Sequence, residues 1–298
     1  MVRSLWTGAA GMNAQQTNVD TIANNLANVN SAGYKAQAAR FKSLLYQELK
    51  TKTVQTTGSP VNSDVGLGVR VSAINQHFTQ GSLLSSASPS DFAIEGDGFF
   101  AYSLREDEID QANNQTTRYT RNGNFVWALR ADGTTLELTT SEGYPVIGVD
   151  GNRITVDTAE YDGVKASDIS IDADGNLFFM DPAAPQGDEN QIVRFGQIAT
   201  YQFRNVEGLE RVGDTSWQVT AASGQPIAEF EDAGGEVDRA AAEGITRSVI
   251  VQNYLEGSNV NIATEMVNLI VAQRAYEMNS TSITTTDQMM QTANQLKR

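Results

Sequence analysis

Asn261-Ile262-Ala263-Thr264-Glu265-Met266-Val267-Asn268-Leu269-Ile270-Val271-Ala272-Gln273-Arg274-Ala275-Tyr276-Glu277 opens a carboxy-terminal stretch that contains neither proline nor glycine. Its apolar residues return every seven positions, at Ile262, Leu269, Tyr276, Ile283 and Met290. A seam of that period asks for other helices. The amino-terminal stretch answers it: Leu5, Met12, Val19 and Leu26 lie seven apart, with Ile22 and Val29 three further on. Polar residues beside the carboxy-terminal seam, Gln273, Ser280 and Asp287, are of the kind that set register at the expense of stability. Two ends that can bury their apolar faces only against each other, or against neighbouring copies, suit a unit of an assembly better than a lone enzyme.

The boundary between arms and middle is physical. All six prolines lie from Pro60 to Pro226, so none interrupts an arm. The first helix is expected from about Ser4 to about Asn30 with Gly33 as its stop, roughly 40 Å at ~1.5 Å per residue. The second is expected to open at Asn259 or Asn261 with Glu265 in its first turn. It should close at Lys297 and Arg298, which suit the negative end of the helix dipole. From Lys50 to Ser90 the chain is rich in Thr, Ser, Gly and Asn and reads as extended connecting chain, or a long hairpin.

From Asp91 onward, short β-branched and aromatic runs alternate with the turn dipeptides Asn122-Gly123, Asp132-Gly133, Asp150-Gly151 and Asp174-Gly175, all hairpin signals. The stretches Arg105 to Thr117 and Asp181 to Gln191 are polar enough to be surface loops. The expected class is therefore α+β: paired terminal helices forming a coiled-coil-like domain over residues 1–52 and 244–298, an extended connecting segment over 53–90, and an inserted antiparallel β-domain over 91–243.

Charge follows the same division. The net charge is −15. Residues 1–52 carry six basic and two acidic side chains, residues 244–298 four of each, and the middle eleven against thirty. Helices that crowd together avoid like charge, whereas an acidic exterior stays soluble. So acidic a chain makes nucleic acid an unsuitable partner. No apolar run approaches the ~18 residues of a membrane span, so direct membrane insertion is not expected. The start lacks a charged leader followed by an apolar core, and so reads as carrying no cleavable secretion signal. The absence of cysteine excludes disulfides and thiolate sites.

Motifs for chemistry are weak. Gly96-Asp97-Gly98-Phe99-Phe100-Ala101 matches the dinucleotide fingerprint in form, but Phe99 and Phe100 continue as strand where that motif needs a helix. A turn that frees both phenylalanines to enter a core is the better reading. Asp172-Ala173-Asp174-Gly175-Asn176 lacks the acidic spacing and closing glutamate of a calcium loop. His77 is the only histidine, which leaves no histidine-based metal site or dyad. No catalytic, cofactor-binding or metal residues are assigned. A β-domain hydrolase, the competing class, rests on nothing positive.

Four blocks, in order, resemble the bacterial flagellar axial proteins of rod and hook. The first is Asp20-Thr21-Ile22-Ala23-Asn24-Asn25-Leu26-Ala27-Asn28-Val29-Asn30-Ser31-Ala32-Gly33-Tyr34-Lys35. The second and third run from Asp91 to Phe100 and from Tyr119 to Phe125. The last comprises Tyr254-Leu255-Glu256-Gly257-Ser258-Asn259-Val260-Asn261, Glu265 to Ile270, and Gln273-Arg274-Ala275-Tyr276-Glu277. Asn24, Asn25, Asn28, Gly33, Gln273, Arg274 and Tyr276 carry the family motif.

The opening Arg3-Ser4-Leu5-Trp6-Thr7 and the segment Phe41 to Gln47 are similar to the distal-rod members, whereas Gly143-Tyr144-Pro145-Val146-Ile147-Gly148 reads more like proximal rod and hook. The resemblance implies a structural subunit exported unfolded through the flagellar type III apparatus. Such a subunit polymerises with itself into a hollow helical shaft that carries torque to the hook within the basal body. It meets proximal rod and hook proteins and the surrounding bushing rings. The resemblance implies no cofactor. It further implies that Thr51 to Asn75 stiffens the rod by bridging neighbours.

Overall fold

A computed structural model describes residues 2–50, 63–104, 117–130, 132–158, 165–180, 192–230 and 244–296. The acidic loop at 106–110, the loop at 181–191 and the closing Lys297 and Arg298 lie outside the described residues. The chain is α+β and divides into two compact units. One comprises Met1–Asn28, Ala36–His77 and Val260–Arg298, the other Val29–Lys35 and Phe78–Asn259.

In the first unit, helix α1 spans Val2–Ala27 and helix α2 spans Ile262–Gln295. Helix α2 starts where capping chemistry allows: Thr264 N donates to the Asn261 side chain at 3.2 Å, and Glu265 stands in the first turn next to the positive end of the dipole. Helix α1 stops about one turn before the expected Asn30. The Asn28 amide is shared between the carbonyls of Asn24 and Asn25, and its side chain donates to Asn24 O at 2.9 Å. An asparagine that offers the backbone an alternative partner ends a helix locally. Gly33 does adopt the left-handed conformation, φ 69°, but in the chain beyond the helix.

A long hairpin follows, and it begins inside the expected helical arm. Strand β1 (Gln37–Ser43) pairs antiparallel with β4 (Val69–Gln76), and β2 (Tyr46–Lys50) with β3 (Ser63–Gly66). Asn25 holds its root: the side-chain amide donates to Gln37 O at 2.8 Å and its oxygen accepts from Gln37 N at 2.9 Å. Gly68 lets the hairpin approach α1, because a Cβ there would stand 3.2 Å from Ala10 Cβ.

Among the described residues, every strand pairing of the second unit is antiparallel. Its largest sheet runs β16 (Glu210–Gly213), β17 (Ser216–Gln218), β8 (Thr117–Thr120), β7 (Phe99–Ser103), β15 (Thr200–Gln202) and β18 (Ile227–Ala228). Two three-stranded sheets join β9 (Phe125–Leu129), β10 (Thr135–Thr140) and β11 (Thr155–Asp157), and β12 (Ser170–Ile171), β13 (Asn176–Met180) and β14 (Ile192–Gln197). Short pairs link β6 (Phe92–Glu95) to β19 (Val249–Gln252) and β5 (Leu83–Ser85) to β20 (Tyr254–Glu256).

Gly96, at φ 129°, turns the chain so that Phe99 and Phe100 enter opposite sides of β7. Phe100 joins Phe92, Phe125, Leu138, Leu177 and Ile198, while Phe99 joins Tyr119, Phe203 and Trp217.

Three of the four turn dipeptides close tight turns: Gly133, Gly151 and Gly175 all have positive φ and donate back to residues 130, 148 and 172. Asn122-Gly123 does not make a hairpin. Strand β8 pairs with β7 and β17 while β9 pairs with β10, so this dipeptide passes the chain between sheets. Gly123 serves close approach instead, since a Cβ would lie 1.7 Å from the Phe92 carbonyl oxygen. The β16–β17 hairpin, by contrast, turns on Asp214 and Thr215 at φ 46° and 53°, without a glycine at either place.

Candidate functional site

Helices α1 and α2 run antiparallel. Ser4 meets Thr286, hydroxyl to hydroxyl at 3.4 Å. Gly8 faces Ile283 and Gly11 faces Asn279, while Asn25 Nδ2 donates to Glu265 Oε2 at 3.4 Å. The residues at the centre of the contact are small or polar. A Cβ at Gly8 would fall 2.9 Å from Ile283 Cγ1, and one at Gly11 2.8 Å from Asn279 Nδ2. Among the described residues of α2 only Ala272 and Thr286 are buried.

Apart from Ile283, which lies against Gly8, and the buried Ile22, the heptad residues therefore flank the contact. Ile22 is buried, whereas Leu5, Met12, Val19 and Leu26 on α1, and Leu269, Ile283 and Met290 on α2, are half-buried. Ile262 and Tyr276 are exposed. Val29 belongs to the second unit and is half-buried there. Close helix approach needs small side chains at the line of contact, which moves the bulky ones to its margins. Replacing Gly11 by Leu should force the helices apart. Overpacking of about 1–3 kcal/mol predicts roughly a tenfold or greater rise in the concentration needed for self-assembly, measured by sedimentation.

Helix α2 also carries a second apolar stripe, Val267, Val271, Met278, Met289 and Leu296, each more than half exposed. It lies roughly a quarter of a turn away from the Ala272 and Thr286 side. Of the motif residues, Asn25 and Gly33 have internal roles. Asn24, Gln273, Arg274 and Tyr276 are exposed, and Arg274 makes an exposed pair with Glu277 at 2.9 Å. Asn28 is half-buried. Within unit 1, Ala14, Ile22, Val260 and Ala272 are the buried apolar side chains among the described residues. So small a core supplies little of the burial that ordinarily opposes chain entropy.

The second unit holds a charge cluster that sequence reasoning missed. Glu256 is fully buried and accepts from Lys35 Nζ at 2.6 Å, Arg121 Nη1 at 3.2 Å and the Gly81 amide at 2.8 Å. Lys35 also donates to Thr79 O at 2.9 Å, and Arg121 Nη2 to Gly96 O at 2.7 Å. Arg121 lies 5.0 Å over the Phe99 ring. Each of the three charged residues sits in one of the family blocks, yet nothing local signals that they meet.

Burial lowers the Lys35 pKa against the pull of Glu256. A lysine whose folded pKa is depressed adds stability as pH rises from that value toward the ordinary lysine range. Burial acts the other way on Tyr102, Tyr119 and Tyr201, raising all three. Their contribution is complete below the ordinary tyrosine value of about 10 and is lost as pH climbs through the folded values. Three hydroxyls outweigh one amine, so the urea midpoint of the β-rich unit should fall above pH ~10. Tyr201→Phe should flatten that decline.

No helix among the described residues is long and apolar enough to cross a membrane. No group of three or more His, Asp or Glu side chains among them is placed to hold a metal.

Comparison with known proteins agrees along the length of the chain. Residues 5–35 match the family described as flagella basal body rod protein, 93–179 the flagellar hook protein FlgE/F/G D1 domain, and 251–296 the flagellar basal body rod FlgEFG protein C-terminal region. The chain is 38% identical to the flagellar basal-body rod protein FlgG of Borreliella burgdorferi, covering 100% of both chains. It is 37% identical to that of Agrobacterium fabrum over 97% of both, and 33% identical to that of Bacillus subtilis over 100% of both. Terminal helices with outward apolar stripes around a β-rich middle, and full-length identity at this level, make the chain a member of the FlgE/F/G family of flagellar basal-body rod and hook proteins.

Proposed function

We propose that this chain is a structural subunit of the distal section of the rod, polymerising with its own kind into the hollow shaft that carries torque from motor to hook. The observation that carries the proposal is the pair of unsatisfied apolar faces on unit 1. Helix α2 offers Val267, Val271, Met278, Met289 and Leu296 to solvent while the Leu5–Met12–Val19–Leu26 edge of α1 stays half open. Two unlike surfaces joined head to tail by a rotation that does not close generate an open filament. In the polymer the heptad residues pack in coiled-coil fashion around the channel.

The functional division we favour makes residues 1–52 and 244–298 the assembly arm, 53–90 the connecting segment and 91–243 the β insert. The hairpin β1–β4 bridges and stiffens neighbouring subunits; residues 51–62 lie outside the described residues. The subunit reaches the growing tip through the flagellar type III apparatus and spans the periplasm. It adjoins proximal rod and hook proteins and turns within the bushing rings, using no cofactor and no enzymatic step.

Purified chain followed by far-ultraviolet circular dichroism during assembly tests this reading. Helical signal should rise as sedimentable, tubular polymer forms, because arms with so small a core gain most of their burial from neighbours. A monomer with full helix content that never assembles would overturn it.

A further inference from the structure

The chain passes between the compact units at 28/29, 35/36, 77/78 and 259/260. Within the β-rich unit, every segment adjoining those passages touches one carboxylate or its immediate bonds. Gly33 N donates to Glu256 O at 2.8 Å, beside the Lys35 ion pair. Gly81 N donates to the Glu256 carboxylate, and Gly257 N donates to Ser82 O at 2.8 Å. Asn259 Nδ2 donates to Thr79 O at 3.1 Å, the carbonyl that also accepts Lys35 Nζ. Arg121 enters from the turn after β8, and among the described residues its Nε has no acceptor.

The cluster holds two cations, Lys35 and Arg121, and a backbone amide around a single carboxylate. Remove that acceptor and two like charges remain buried with no counter-charge in contact, which is far more costly than never having built the site. Space is equally restrictive: a Cβ at Gly33 would lie 2.6 Å from Asn122 N, and one at Gly81 1.9 Å from Gly257 O. The acceptor comes 221 residues after Lys35 and 135 after Arg121.

We propose that Glu256 is a registration lock. The pocket built by Lys35, Arg121 and the Gly81 amide closes only on that carboxylate, so the junction segments take one arrangement, and take it only when the two distant ends of the chain have come together. The lock acts through specificity. Burial of Lys35 opposes the attraction of its partner, and a buried ion pair is a poor source of net stability, but any misregister leaves an unpaired charge in the interior. A lock of this kind fixes the segments 29–35, 78–82 and 256–259 in one register within the β-rich unit.

Hydrogen exchange on the full chain tests the proposal through the amides of Gly33, Gly81 and Gly257, with Ile147 N, bonded to Ala101 O inside the β-rich unit, as the internal reference. Glu256→Gln should speed exchange at the three junction amides by about a hundredfold while Ile147 is unchanged. Adding Lys35→Met should restore most of that protection, because the uncompensated cation is removed. Unchanged exchange in Glu256→Gln would overturn the lock, as would losses in the double variant that simply add. If Glu256→Gln does not fold, folding of the Lys35→Met/Glu256→Gln chain supports the lock, and failure of both overturns it.

Discussion

Ile283→Asp is expected to abolish polymer formation and motility while leaving the β-rich unit at its parent stability. Ile283 lies against the bare backbone of Gly8 at the α1–α2 contact. An aspartate there puts an unpaired carboxylate between two closely approached helices, at an effective cost of several kcal/mol per subunit. Because each subunit in a filament repeats the penalty, the sedimentable fraction should drop by about a thousandfold or more. Leu269→Asp, on the same margin of the seam, should act in the same direction. Urea unfolding of the β-rich unit, followed by Trp217 fluorescence, should keep its midpoint. Normal filaments from either variant would exclude the heptad residues from assembly.

Gly123→Ala should do the opposite, damaging the β-rich unit directly. The added methyl would sit 1.7 Å from Phe92 O, 2.7 Å from Phe92 C and 3.1 Å from Phe100 Cε2. Backbone cannot step aside as a flexible side chain can, and Gly123 O already accepts from both Phe92 N and Phe125 N at 3.0 Å. We expect a loss of about 4 kcal/mol or more, within the exceptional range for a single substitution. A urea midpoint shift equivalent to less than about 1 kcal/mol would show that the crossover between sheets is less constrained than this geometry requires.

Several features could be read residue by residue. The Asn261 cap and the Glu265 first turn were legible because capping chemistry is completed within a few residues. Asp132-Gly133 and Asp174-Gly175 were legible because a left-handed glycine and its return bond occupy a single turn. The same rule misled at Asn122-Gly123, where glycine was needed for space and the flanking strands belong to different sheets. It was silent at Asp214-Thr215, where non-glycine residues take the left-handed conformation. The hairpin root was misplaced because the helical period of α1 ends at an asparagine cluster whose preference for side-chain bonding the period does not show.

The contact between α1 and α2 was half legible. Leu269, Ile283 and Met290 announced that α2 seeks a partner, but not that Gly8, Gly11, Ala272 and Thr286 would stand at the line of contact with α1. Small residues leave no mark in a hydrophobic period, and only the distance between two helices shows why they are small. The charge cluster was less legible still. Nothing in the sequence around Lys35, Arg121 and Glu256 shows that the three meet.

By itself, the sequence determined the helical character of both ends, the strand-and-turn character of the middle, the segregation of acidic charge and the family to which the chain belongs. These are properties of period, propensity and local bonding, settled within about two turns or one hairpin. Tertiary structure alone decided which helix positions touch, which strands neighbour one another, and that one buried carboxylate serves every junction segment. The pairing of β6 with β19, the α1–α2 contact and the Lys35–Glu256 pair all close long stretches of chain, where the energy lies in contacts that no local segment can make alone.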